Sequence, residues 1–155
     1  MGESAHYTIL VVDDEASVRN LVATLLFKLG HSCITATDGV DALDQMKGNK
    51  FDAVIADIKM PNLDGVALTR EILKRRPGLP ILIMTAFDEE YSAGAAIAAG
   101  AREFIKKPFS PEEFCAQLQK MIDDSETIKR LGNEKVLDEN VQDLMSELEE
   151  TLKKD

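Results

Sequence analysis

Residues 52–65 read DAVIADIKMPNLDG, and the reading of this stretch decides the fold. Its first half is an apolar run that ends on a bare carboxylate, Asp57. Its second half, MPNLDG, is made of turn formers. An apolar run bounded by turn residues marks a strand covered on both faces, as in a parallel sheet. A carboxylate at the end of such a strand costs free energy unless it meets water, a partner or a metal. The stretch therefore predicts a buried strand whose carboxyl end opens on a polar site.

Working outward, the same punctuation recurs. YTILVV is an apolar, β-branched strand that ends at Asp13. Residues 16 to 29 place Val18, Leu21, Val22, Leu25, Leu26 and Leu29 at helical spacing, and Gly30 is a good helix stop. SCITA is a short second strand, and Val40, Leu43 and Met46 mark a second helix. FDAVIAD is the third strand, and residues 64 to 75 form a third helix closed by RRPGLP. PILIMTA, the Ala-rich YSAGAAIAAG and REFIK give a fourth strand, a fourth helix and a fifth strand. Ser110, Pro111 and Glu113 open a fifth helix with capping-box spacing, followed by Phe114, Leu118, Met121 and Ile122. This alternation predicts an α/β protein with a doubly wound, five-stranded parallel sheet. Right-handed, short crossovers bring all five strand carboxyl ends to one edge. Ligands of such folds bind outside that edge, where the strand order reverses.

The chain has 155 residues, 45% of them hydrophobic, enough for one domain with a good core and some extra. A formal net charge of −10 argues against general affinity for nucleic acid phosphates or anionic lipid surfaces. No apolar stretch approaches membrane-spanning length, and the start MGESAHYT lacks the regions of a signal peptide. His6 stands where an N-myristoylation pattern wants Ser or Thr. Cys33 and Cys115 lack metal-ligand spacing and read as buried, reduced thiols, which points to a cytoplasmic protein. His6 and His31 make no constellation.

At the shared edge the first strand delivers Asp13 and Asp14, and the third delivers Asp57. The fourth ends in Thr85 and Ala86, and the fifth runs into Lys107 and Pro108. Two unit charges about 4 Å apart interact by roughly 4 kcal/mol at an effective dielectric of 20. Three acids so placed repel strongly unless they bind a cation or take up protons. Hard oxygen donors with room for water suit Mg²⁺ (or Mn²⁺) better than Zn²⁺. A lysine facing acids reads, by itself, as a neutralising partner. With the Thr85 hydroxyl and a metal beside it, the same ammonium surrounds a small tetrahedral oxyanion, as in phosphoryl transfer. An Asp carboxylate can itself accept the phosphoryl group as an acyl phosphate.

LVVDDE, VIADIKMPNLDG, ILIMTA and FIKKPF, in this order and spacing, closely resemble the receiver domain of two-component response regulators, of the chemotaxis-receiver kind. The resemblance covers about residues 7 to 123. It implies a flavodoxin-like (βα)5 fold and a phosphoprotein in which Asp57 accepts phosphate from a phosphohistidine. The donor would be a sensor histidine kinase or a histidine phosphotransfer protein. Asp14 would bind Mg²⁺ directly and Asp13 mainly through water, with the backbone carbonyl of Lys59 as another ligand. Lys107 would contact the phosphoryl oxygens, and Pro108 would follow it through a cis bond. Thr85 matches the hydroxyl that swings toward the phosphoryl group, and Phe104 the ring that follows it inward. The fourth helix, fifth strand and fifth helix would form the output face for a downstream protein. Lys59 and Phe87 flank the acceptor, and bulky Phe87 is expected to shield it from in-line water.

Residues 1–123 thus read as the receiver domain and residues 124–155 as a helical extension or linker. Leu137, Val141, Leu144 and Leu148 follow steps of four, three and four, interrupted upstream by Gly132 and Asn133. That stripe reads as a helix folded on the domain, the start of a linker, or a dimer-forming helix. So short an extension holds no DNA-binding domain, so no direct nucleic acid binding is expected. The chain is expected to catalyse only its own phosphorylation and dephosphorylation, not to act as an enzyme on outside substrates. A Mg²⁺-dependent phosphatase with an Asp nucleophile usually carries a second acid two residues on, where this chain has Lys59. A receiver-like adaptor that is never phosphorylated is a further alternative, though every chemical residue is in place. A flavin carrier of the same topology would need a phosphate cradle where this chain has the acidic DDEAS.

Overall fold

A computed structural model describes residues 5–86 and 90–153, and the side chains of all of these except 90–92, 133–144 and 153. Strands and helices alternate: β1 (Thr8–Val12), α1 (Ala16–Lys28), β2 (Ser32–Ala36), α2 (Gly39–Gly48), β3 (Ala53–Asp57), α3 (Gly65–Arg75), β4 (Ile81–Ala86), α4 (Glu90–Ala99), β5 (Glu103–Lys107) and α5 (Pro111–Lys153). All four strand pairings are parallel, in the order β2-β1-β3-β4-β5. The expected five-stranded, doubly wound α/β sheet is what forms.

Alternation of side chains along each strand explains the two-faced core. Ile9, Val11, Ile55, Leu82 and Met84 point to one face and pack with Val22, Leu26, Phe114 and Leu118 of α1 and α5. Leu10, Val12, Val54, Ala56, Ile81 and Ile83 point to the other and pack with Ala42, Leu68, Ile72 and Ala96 of α2, α3 and α4. The central strand β3 is buried at all five positions, which is why its sequence is apolar without alternation. Two residues of the predicted helical stripes stay outside this core: Leu21 and Val40 are exposed.

Helix starts are written in short polar side chains. Asp38 accepts from the Asp41 N–H at 2.8 Å, Asp64 from Ala67 at 2.8 Å and Ser110 from Glu113 at 3.0 Å. Each such cap stabilises its helix by about 1 kcal/mol. Gly30 ends α1 at φ +87, a left-handed conformation that glycine adopts without strain.

Contacts divide the chain into two compact units, Met1–Ile122 and Asp123–Asp155. The expectation that Gly132 and Asn133 interrupt the extension is not met: one helix runs from Pro111 to Lys153. A Cβ at Gly132 would meet nothing within 4 Å. A glycine in an exposed helix costs only about 1 kcal/mol relative to alanine, too little to break a helix of this length. In the apolar stripe the side chains of Leu137, Val141 and Leu144 lie outside those described, while Met145, Leu148 and Leu152 are exposed. Among the described residues no helix is long and apolar enough to cross a membrane.

Candidate functional site

The strand order reverses at β1, which pairs with β2 on one side and β3 on the other. The register sets Val12 beside Ala56, so Asp13 and Asp57 leave neighbouring strands at the same level. Carboxylate oxygens of Asp13, Asp14 and Asp57 all lie within 4.8 Å of one another. Asp13 and Asp57 are buried and Asp14 is exposed. From the far side β5 brings Lys107, whose Nζ lies 3.0 Å from Asp13 Oδ2 and 3.3 Å from Asp57 Oδ2. The Lys107–Pro108 peptide is cis.

The acids are held by backbone as well. Asp13 Oδ1 accepts from the Glu15 N–H at 2.9 Å, and Asp57 Oδ1 accepts from the Ile58 N–H at 2.9 Å. Arg19 of α1 donates to the Asp13 carbonyl at 2.7 Å. Burial is the largest influence on Asp57 and lifts its pKa; Lys107 opposes this and Asp13 adds to it, leaving the carboxyl at about 6. Burial pulls Lys107 down, but its bond to Asp13 and the charges of Asp57 and Asp13 outweigh this, so its pKa is raised. Lys107 thus pairs with two of the three acids.

Thr85 ends the buried part of β4, and its Oγ1 is the one buried side-chain polar atom without a hydrogen-bond partner among the described residues. Leaving a buried hydroxyl unpaired costs about 1–3 kcal/mol. Such an atom, on the same rim as the acids, is one that the oxygen of a bound group could satisfy. The donor set fits a hard divalent cation: all oxygen, two carboxylates buried, a third open to solvent, and more negative charge than Lys107 neutralises. Asp13, Asp14 and Asp57 are the side chains that could hold it.

Phe104 is not a core aromatic. It is 37% exposed and lines a groove of about 400 Å³ with Ala93, Gly94, Ile97 and Lys106. Lys59 is exposed, and Phe87 lies outside the described residues. A second groove, about 320 Å³, runs beside the site between Val18 and Leu21 of α1 and Lys107, Pro108 and Phe109.

Two positions carry more of the site than their residue types announce. A Cβ on Gly65 would fall 2.4 Å from the Asp57 carbonyl oxygen and 2.9 Å from Ile58 Cα, so only glycine lets α3 start against the end of β3. The signal was a glycine placed directly after the turn formers. Asn62 sits at φ +71 and donates to Asp38, a pairing that spacing alone does not reveal.

A family model for the response regulator receiver domain matches residues 9–119. The chain is 37% identical over 118 residues to the alkaline phosphatase synthesis transcriptional regulatory protein PhoP of Bacillus subtilis (strain 168), covering 76% of this chain and 49% of that protein. It is 40% identical over 114 residues to the response regulator MprA of Mycobacterium sp. (strain KMS), covering 74% of this chain and 50% of that one. The crystal structure of the receiver domain of NtrX from Brucella abortus superposes with a TM-score of 0.71 at 37% identity, over 74% of this chain and 98% of that one. The chain spans about half the length of these two curated relatives.

Proposed function

The chain belongs to the response regulator receiver family, and we propose that it works there as a phosphorylation-operated switch centred on Asp57. Membership implies a histidine kinase as partner. In the proposed step a carboxylate oxygen of Asp57 attacks the phosphorus of a phosphohistidine, on the kinase or on a phosphotransfer protein. An O–P bond forms, the P–N bond breaks, and the imidazole leaves and takes up a proton. The product is an acyl phosphate on Asp57.

The chain's own groups supply most of what this needs. Asp57 is presented at the rim of a rigid strand, with the Ile58 N–H fixing one oxygen. Lys107, which pairs with Asp57 at 3.3 Å in the resting state, keeps its charge and turns its ammonium to the phosphoryl oxygens. The Thr85 hydroxyl gains the partner it lacks. A divalent cation, when bound by Asp13, Asp14, Asp57 and the Lys59 carbonyl, would neutralise the remaining negative charge and screen the incoming group. The apolar groove from Val18 to Phe109 beside Lys107 is where we seat the donor protein. Output runs through Thr85 and Phe104 to the α4-β5-α5 face and a downstream protein. The switch acts on no outside substrate. Both cysteines are free, which fits the reducing cytoplasm in which we place it.

The observation that carries this reading is the orphaned Thr85 hydroxyl on the same rim as Lys107 and the acid trio. Incubation with Mg²⁺ and acetyl phosphate, followed by intact-mass measurement, tests it. One phosphoryl adduct is expected on the wild type, and none on Asp57→Asn or without Mg²⁺. No adduct under any condition would leave the unphosphorylated adaptor as the better account.

A further inference from the structure

The loop between β3 and α3, residues 58–64, carries the Lys59 carbonyl assigned above to the metal. Its base is tied to the sheet: the Ile58 N–H donates to the Met84 carbonyl at 3.2 Å, and the Gly65 N–H donates to the Ile58 carbonyl at 2.8 Å. Its tip is tied elsewhere. Asn62 adopts φ +71, a left-handed conformation that Asn tolerates better than most residues. From there its Nδ2 donates to Asp38 Oδ2 at 2.9 Å.

Asp38 is well placed to hold that tip. It is the N-cap of α2, and its other oxygen accepts from the Asp41 N–H at 2.8 Å. The bond from Asp41, and after it the bond from Asn62, keeps the Asp38 carboxyl ionised below its ordinary range. Beside it the two segments are in close contact: a Cβ on Gly39 would fall 2.6 Å from the Leu63 carbonyl oxygen. The start of α2 and the tip of the loop are thus built to meet.

We propose that Asn62 is a positioning residue for the divalent cation: its bond to Asp38 fixes the 58–64 loop and, through it, the Lys59 carbonyl. This rests on the metal-binding reading of the acid trio. Mg²⁺ demands near-ideal octahedral geometry at about 2.0–2.1 Å, so a carbonyl on an unanchored loop contributes little to its binding. Groups outside the ligand set that orient a ligand shift metal affinity by roughly 10- to 100-fold when removed. Here the oriented ligand is one carbonyl among several, so the lower end applies. A bridge that served only to stabilise α2 would leave cation affinity alone.

The test is titration calorimetry of the full chain with Mg²⁺ alone, without phosphodonor, after thermal unfolding in EDTA shows each variant folded. Asn62→Gly removes the amide while glycine keeps the left-handed backbone unstrained, and about a tenfold loss of Mg²⁺ affinity is expected. The exchange D38N/N62D keeps the net charge and reverses donor and acceptor, and it should restore affinity to within about twofold of wild type. Asn49→Gly removes a bond to the Gln45 carbonyl at the other end of α2 and should leave affinity unchanged. Wild-type affinity in Asn62→Gly, or no recovery in the exchanged pair, would overturn the proposal while the metal site stands. A wild type that takes up no Mg²⁺ would overturn both.

Discussion

Replacing Asp57 by asparagine should make the metal-free protein more stable, because the fold holds this carboxylate where its charge is unwelcome. Its pKa stands at about 6, raised from 3.8, chiefly by burial. Each unit is worth about 1.4 kcal/mol, so ionised Asp57 opposes folding by about 3 kcal/mol near neutral pH. Asparagine removes that charge but keeps an oxygen for the Ile58 N–H, and Lys107 keeps Asp13 at 3.0 Å. A gain of about 1–3 kcal/mol in unfolding free energy is therefore expected at pH 8. Between pH 3.8 and 6 the folded carboxyl holds a proton that the unfolded one has lost, so this contribution to wild-type stability falls as pH rises. The advantage of Asp57→Asn should accordingly shrink to about half at pH 5 and to about a fifth at pH 4. His31 titrates with the opposite sign. Burial, and then His6, lowers its pKa, and its Nδ1 accepts from the Tyr7 N–H, so acid removes stability there. That effect is common to both proteins and cancels in their difference at each pH. Urea unfolding in EDTA at pH 8, 5 and 4 supplies the numbers. A variant no more stable than wild type at pH 8, or a gain that ignores pH, would refute the reasoning.

Thr85→Val removes a buried hydroxyl that has no protein partner among the described residues. Resting stability should hold or rise by up to about 1 kcal/mol in urea unfolding, while the rise in Tm on phosphorylation shrinks. Gly65→Ala drives a Cβ into the backbone of Asp57 and Ile58, and a loss of at least about 2 kcal/mol is expected by the same assay, together with a slower gain of the phosphoryl adduct by mass. Phe114→Ala empties a fully buried site whose ring stacks on Phe109 at 5.5 Å between centroids, and should cost about 3–5 kcal/mol.

Sheet and site were legible in the sequence for one reason: in a doubly buried parallel sheet the apolar run marks the strand, and the residue after it marks the edge. SCITA matches β2 residue for residue, whereas FDAVIAD runs two residues past the start of β3, which is AVIAD alone. Asp13, Asp57, Thr85 and Lys107 all fall at strand ends, so alternation alone collects them on one rim. What sequence spacing missed lies where chemistry is decided by contact across the fold. Asn62 and Asp38 are ordinary turn and cap residues until the structure brings them to 2.9 Å. Gly132 looked like a helix breaker because propensity says nothing of the helix on either side. Phe104 was readable as a core residue, and its exposure beside the α4-β5 groove removes that reading.

The place of β5 at the margin of the sheet gives the site a gradient of stiffness. Asp57 rides on β3, laddered to β1 and β4 and buried at every position. Lys107 rides on β5, laddered to β4 alone and buried at Ile105 only. The Asp57 carboxylate is thus held by ladders on both sides, while the Lys107 ammonium rides on a strand with a ladder on one side only. Amide exchange should follow the same gradient, slowest at Val54–Ala56 and faster from Phe104 to Lys107. On the proposed reading, charge added at Asp57 would arrive on a strand held from both sides and meet a lysine whose strand is held from one.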